Sequence, residues 1–226
     1  MSEDFRLVRR RDFILDACRG KSVLHLGCTN YPYTREALAD GSLLHLAIKK
    51  VAAGITGLDA DEAGIEILLK EGCENLHLAD LENLDALTLQ STYDVIVAGE
   101  VIEHLNNPGL FLTGVRRFMS DGSVLIVTTV NAYSGMRFFR YGLRGKSGSN
   151  EPVHPDHVAY YSYSTLKLLL ERHGLSVDHF LFYDVGREHR PHNRLIINLI
   201  NDVCVAIAPQ WADGVIAVCR RKYDGG

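Results

Sequence analysis

The sequence has no Cys-x-x-Cys pair, no long uninterrupted apolar run and no strong excess of either charge. Its five cysteines, Cys18, Cys28, Cys73, Cys204 and Cys219, are odd in number and widely spaced. That argues against a disulfide framework or a zinc ribbon and for a reducing compartment. The longest apolar stretch, LIINLINDVCVAIA (195–208), carries two Asn and one Asp and is too short and too polar to span a bilayer. The opening segment MSEDFRLVRRRDFIL lacks the apolar centre of a signal peptide. The expectation is a soluble, cytoplasmic protein. Six prolines and 20 glycines exclude collagen-like and Pro-rich chains. With 24 basic against 28 acidic residues the net charge is −4, so no global field draws the chain to nucleic acid. What remains, 46% hydrophobic and 23% charged over 226 residues, suits one globular domain with a full core.

Short apolar runs, often β-branched, recur along the chain: SVLHL (22–26), GITGL (54–58), NLHL (75–78), YDVIVA (93–98), SVLIVTT (123–129), VDHFLFY (177–183) and GVIAVC (214–219). Such runs read as strands buried on both faces of a mostly parallel sheet. Helical patterns lie between them, at 62–70 before Gly72, at 108–119 after Asn107-Pro108, and at 164–173 before Gly174. Alternation of this kind predicts an α/β fold with a doubly wound sheet of seven strands and helices on both faces. Two connections are longer than one helix needs, 31–53 and 131–163. The second contains LRGKSGSNEP (143–152) and reads as a lid or a tolerated insertion.

In open α/β sheets ligands bind beyond the carboxyl ends of the strands. The first run is followed by Gly27-Cys28-Thr29-Asn30, the second by Asp59-Ala60-Asp61, and the third by Asp80-Leu81. A glycine there allows a tight turn and close approach of backbone to ligand. A carboxylate there can accept hydrogen bonds from ribose hydroxyls or an amino group, or can serve as a helix N-cap. The dinucleotide fingerprint G-x-G-x-x-G is absent, because Thr29 takes the second glycine's place. The step from Gly27 to Asp59 is 32 residues (59 − 27), against about 20 in nicotinamide-binding folds.

The series VLHLGCTN, ITGLDAD, LHLADLENL, YDVIVAGEVIEHL and SVLIVTTVN resembles the class I S-adenosylmethionine-dependent methyltransferases, over roughly residues 20–220. His25 stands where those enzymes usually carry an acid. The resemblance implies a Rossmann-like methyltransferase sheet with the last strand antiparallel. It implies a single methyltransferase domain over 1–226, with an N-terminal helix at about 4–18 and the insertion at about 131–163. It also implies S-adenosyl-L-methionine as cofactor. Gly27 and Cys28 would lie against it, Asp59 and Ala60 at the ribose, Asp80 and Leu81 near the adenine, and Glu100 beside it.

The fourth run continues Gly99-Glu100-Val101-Ile102-Glu103-His104. On a helical turn, Glu100, Glu103 and His104 would share one face. Two carboxylates and an imidazole can hold a divalent cation such as Mg, Mn, Fe or Zn; alternatively His104, with Glu103, serves as a metal-free general base. His154-Pro155-Asp156-His157 follows the insertion. The pattern resembles the metal-dependent small-RNA 2′-O-methyltransferases and, in its first part, the ubiquinone-pathway O-methyltransferases. That resemblance implies Glu100, Glu103, His104 and His157 as ligands. Tyr160, Tyr161 and Tyr163 would form an aromatic wall or ordinary core.

The implied reaction is O-methylation of a small-molecule hydroxyl on a sugar, glycan precursor or natural product. Arg9-Arg10-Arg11, Arg137/Arg140/Arg144/Lys146 and Arg220-Arg221-Lys222 keep an RNA 2′-O-methyltransferase as the rival reading. The altered glycine motif keeps a third, a non-catalytic cofactor-binding partner subunit. Nothing in the sequence marks an oligomeric state.

Overall fold

Side chains along each central strand alternate between two apolar layers, and this alternation builds the sheet. The structure is a computed structural model that describes residues 5–89, 91–144, 156–184, 190 and 194–222. Along β2 (Ser22–Leu26), Val23 faces one layer while Leu24 and Leu26 face the other. Along β5 (Tyr93–Gly99), Val95 and Val97 oppose Ile96 and Ala98 in the same way. Helices α1 (Arg10–Cys18) and α3 (Leu44–Lys49) cover the first layer with Ile14 and Ile48. Helices α5 (Pro108–Val115) and α7 (Tyr163–Arg172) cover the second with Phe111, Leu112, Leu166 and Leu170.

Three further strands are β3 (Gly54–Asp59), β4 (Leu76–Leu78) and β6 (Met119–Val130); β7 (Leu175–Tyr183) and β8 (Gly214–Arg221) complete the expected seven. The sheet order is β1-β7-β8-β6-β5-β2-β3-β4, with β8 antiparallel to both its neighbours. The eighth strand, β1, is the two-residue edge piece Leu7–Val8, paired with Phe182 and Tyr183. It corrects the helix expected over about 4–18. The helix starts only at Arg10, because Leu7 and Val8 find an open sheet edge where an extended, β-branched segment gains ladder hydrogen bonds.

Other departures are local. The long 31–53 connection holds two short helices, α2 (Thr34–Ala39) and α3. Between β3 and β4 lies α4 (Glu62–Lys70), which matches its expected bounds. The helix expected over 108–119 ends at Val115, and a tight turn at 116–118 leads into β6. Asn107 makes no side-chain cap; its N–H instead donates to the Glu82 carboxylate at 2.8 Å. Ser162 caps α7 in a reciprocal box with Thr165. The 131–163 connection carries α6 (Gly135–Arg144), and its centre, with Lys146 and His154, lies outside the described residues. The apolar stretch 195–208 forms α8 (Leu195–Ile207). No helix among the described residues is long and apolar enough to cross a membrane.

Candidate active site

Chain order reverses direction between β2 and β5, and in open α/β sheets the strand ends at such a switch point are where ligands bind. Gly27 ends β2 with φ +68, a conformation that favours glycine, and a Cβ on it would run into the Val101 side chain beyond β5. The Gly27 and Cys28 N–H groups both donate to Leu58 O, at 2.9 and 3.2 Å. Thr29 donates its N–H and its hydroxyl to Asp59 Oδ2, at 2.8 and 2.9 Å, while Asp61 N–H donates to Asp59 Oδ1 at 3.0 Å. Asp59 thereby ties the turn after β2 to the tip of β3. A carboxylate has about four acceptor positions, so these three donors leave capacity for a ligand hydroxyl.

Asp80 sits at the adjoining tip, since Ala79 N–H donates to Asp59 O at 2.8 Å. One Asp80 oxygen accepts Glu82 N–H at 2.9 Å, and the residue is exposed. Ala60 is exposed beside Asp59. Cys28 and Leu81 are turned into the apolar core, so Cys28 can offer a ligand only its backbone. Residues with open acceptors on neighbouring strand tips and a glycine turn between them fit an adenosine.

Beyond β5, Glu100 adopts φ +57, the left-handed region. Its N–H donates to Thr128 O at 3.0 Å, and its Oε1 accepts the Tyr183 hydroxyl at 2.6 Å and the Thr128 hydroxyl at 3.1 Å. Arg10 Nε donates to Thr128 Oγ1 at 2.9 Å and lies 3.8 Å from Glu100 Oε1. The Glu100 carboxylate is therefore committed to the β6–β7 side, apart from the Glu103–His104–His157 group, and the expected shared face of Glu100, Glu103 and His104 is not formed. The left-handed residue is the cause: it breaks the helical phase just before the turn at Ile102–His104.

That turn buries Glu103 completely and leaves His104 half-buried. The Glu103 carbonyl accepts N–H groups from Val158 and Ala159, at 2.9 and 3.3 Å, which pins the segment carrying His157 against the turn. The His104 and His157 rings meet edge to face with centroids 4.6 Å apart. One ligand atom each from Glu103, His104 and His157 lies within 4.8 Å of the others. Neither Glu103 carboxylate oxygen has a hydrogen bond of ordinary geometry. Burial, with the nearby charge of Glu100, pushes this carboxyl up to about 8, while the Thr129 hydroxyl and Arg10 pull the other way.

Of the three tyrosines weighed as a wall or as ordinary core, Tyr160 stands at the site, 5.9 Å from His157 by ring centroids, with the Arg137 guanidinium over its ring. Tyr161 is core, and Tyr163 packs edge-on against Phe5 and Phe180. Sequence reasoning missed Tyr183, Thr128 and Arg10. Their signal was a tyrosine closing one strand and a threonine in another, visible only once β6 and β7 are placed on either side of β8.

A sequence profile described as a methyltransferase domain matches residues 6–179. The chain belongs to this methyltransferase family. A probable S-adenosylmethionine-dependent methyltransferase of Mycolicibacterium smegmatis is 28% identical over 212 residues, covering 88% of this chain and 70% of the relative. A ubiquinone biosynthesis O-methyltransferase of Proteus mirabilis is 25% identical over 120 residues, covering 51% of this chain and 44% of its own length. Among solved structures, an S-adenosylmethionine-dependent methyltransferase from Mesorhizobium loti superposes with a TM-score of 0.61 at 14% identity, over 93% of this chain and 95% of that one. A plantazolicin methyltransferase in complex with S-adenosylhomocysteine and a substrate analogue gives 0.58 at 17% identity, over 94% and 82%. At these identities the superpositions speak for the fold. The methyltransferase is thus an S-adenosylmethionine-dependent enzyme of class I.

Proposed function

We propose that this methyltransferase methylates a hydroxyl oxygen of a small molecule, such as a sugar, a glycan precursor or a natural product. The observation that carries the reading is the group Glu103, His104 and His157, gathered at the carboxyl end of β5 around a buried carboxylate without a hydrogen-bond partner. The O-methyltransferase relatives of the ubiquinone pathway support oxygen as the acceptor. Several described arginines of the basic clusters are held inside the chain: Arg10 by Thr128, Arg11 by the Gly41 and Ser42 carbonyls, Arg137 by Asp213, Arg220 by Asp178. That disfavours the RNA reading.

S-adenosylmethionine, when bound, supplies a methyl group on a sulfonium, open to in-line displacement. Gly27, the backbones of Cys28 and Leu81, Asp59, Ala60 and Asp80 would line its adenosine, with Glu100 at the tip of β5 beside it. The chain's remaining task is to align the acceptor and remove its proton. Alignment alone contributes about 7–11 kcal/mol in favourable cases. Glu103, His104 and His157 would hold a divalent cation, which would lower the pKa of a bound hydroxyl. With Glu100 committed elsewhere the set is one carboxylate and two imidazoles, a donor mix that suits Fe, Zn or Mn better than Mg. A metal-free form of the same reading uses the half-buried His104 as the base; such a base contributes about 10²–10⁴-fold.

The test is methyl transfer from radiolabelled S-adenosylmethionine to a panel of phenols, sugars and polyols, with and without chelator. Glu103→Gln and His104→Ala should abolish transfer while S-adenosylhomocysteine binding persists. Full turnover in both variants would refute the assignment.

A further inference from the structure

Helix α8 presents Leu195, Ile196, Leu199, Val203 and Ile207 to solvent, each between 51% and 86% exposed. Leu195, Leu199, Val203 and Ile207 follow one another at four-residue intervals and form a continuous ridge. Its opposite face is anchored: Asn201 donates to Asp184 at 2.6 Å, and Cys204 packs against Gly135 of α6. Helix α6 adds exposed Phe138, Phe139 and Tyr141. The five α8 side chains expose roughly 600 Å² and the α6 aromatics bring this to roughly 1,000 Å², against about 800 Å² per partner in a standard interface. The largest apolar patch on an ordinary monomer is about 300–600 Å².

We propose that this face joins two copies of the chain, α8 packing on its own symmetry mate through the Leu195–Leu199–Val203–Ile207 ridge. A ridge at four-residue spacing is self-complementary, and like ridges interdigitate in the commonest crossing of globular helices. The polar side chains beside the ridge, Asn198 and Asp202, already have partners inside the chain. Asp202 pairs with Arg190 at 2.7 Å, and Asn198 donates to the Arg190 carbonyl at 3.0 Å. A lipid surface is the rival occupant: α8 carries no Lys or Arg, whereas α6 carries Arg137, Arg140 and Arg144, of which Arg137 is held by Asp213. Pairing would also brace α6, which holds Arg137 over Tyr160 beside His157. The inference does not depend on the hydroxyl-methylation reading.

Sedimentation velocity of the full chain at micromolar concentration tests it. The expected particle is about 50 kDa, twice the 25.2 kDa of the chain. Leu199→Glu combined with Val203→Glu should sediment as a single chain that still unfolds cooperatively, since both residues are exposed within one copy; its melting temperature, unlike that of the wild type, should not depend on protein concentration. Leu199→Cys should give a disulfide-linked dimer on mild oxidation, which reports the α8 contact without disturbing the ridge. A wild-type single chain, a double variant that still dimerises, or a Leu199→Cys protein that does not crosslink overturns the proposal. A single chain that floats with phosphatidylglycerol vesicles overturns it in favour of a lipid surface.

Discussion

Thr29 is seated against Gly64: a Cβ on that glycine would lie 2.6 Å from Thr29 Cγ2. Thr29 stands where the family's glycine motif has its second glycine, and the side chain it adds is accommodated by a missing one in the first turns of α4. In an exposed helix, Gly→Ala stabilises by about 1 kcal/mol. Here Gly64→Ala should instead destabilise by about 1–3 kcal/mol through overpacking. Adding Thr29→Gly should recover part of that loss, the rest remaining because Asp61 Oδ2 lies closer still to that Cβ. Denaturant melts of the two single variants and the double variant measure the coupling, and simple additivity would contradict the fit.

Asp59 and Asp80 occupy neighbouring strand tips with unequal commitments. Asp59→Asn removes a charged acceptor from three donors, two from Thr29 and one from Asp61, as well as from any ribose. Charge-assisted hydrogen bonds contribute about 1.5–3 kcal/mol, so S-adenosylhomocysteine should bind about 10- to 100-fold more weakly. Asp80→Asn disturbs only the bond from Glu82 N–H and should cost less than about tenfold. Calorimetric titration of both variants separates them.

Most of the seven expected strands were readable in the sequence because each is a short apolar run with buried side chains, a pattern that survives whatever surrounds it; β4 is the exception, three residues long with His77 and Leu78 exposed. Asp59 and Asp80 were readable for a related reason: strand-tip position follows directly from strand assignment. Glu103, His104 and His157 were found as residue types, and the structure brings them together. Glu100 was misplaced because the i, i+3, i+4 argument assumes unbroken helical phase, whereas φ +57 at Glu100 turns its carboxylate toward Tyr183. The partnership of Thr29 with Gly64 was invisible because it joins a loop to a helix 35 residues later (64 − 29), with no periodicity to announce it.

Tyr183 holds Glu100 in that conformation. It is buried, its hydroxyl donates to the carboxylate at 2.6 Å, and Glu100's charge with burial raises its pKa well above the usual tyrosine value. Tyr183→Phe removes one bond to a charged group, a loss of about 1.5–3 kcal/mol. At about 2–4 °C per kcal/mol for a chain of this size, the melting temperature should fall by roughly 3–12 °C. A melt by circular dichroism checks this; an unchanged midpoint would show that Glu100 is held by Thr128 and Arg10 alone.

A divalent cation at Glu103, His104 and His157 should raise the melting temperature. Mn²⁺ or Zn²⁺ at about 100 times its dissociation constant contributes about 2.7 kcal/mol, or roughly 5–10 °C. Glu103→Gln and His157→Ala should each lose the shift while keeping their own metal-free melting temperature. Scanning fluorimetry with chelator as baseline reads it. Absence of any shift in the wild type leaves His104 as the base without a metal.

His25 and His45 form a buried pair with Nδ1···Nδ1 at 3.2 Å and rings stacked 5.4 Å apart. One nitrogen must donate and the other accept, so the accepting ring at least must be neutral and the pair cannot be doubly protonated. Burial depresses His45 to about 4, with Lys49 adding to the effect. Burial, then the charges of His45 and Arg10, depresses His25 well below 6.5. The unfolded chain protonates these groups near their ordinary value of about 6.5, whereas the folded chain does so only at lower pH. Between those values the unfolded state binds more protons, so stability is full above about pH 6.5 and falls as the pH drops toward 4. For His45 alone the loss is on the order of 3 kcal/mol. Urea midpoints measured from pH 7.5 down to 4.5 should decline, and His45→Phe should flatten that decline. A wild-type midpoint constant across this range would mean that the pair accepts a proton without cost, which two stacked imidazoles cut off from water should not do.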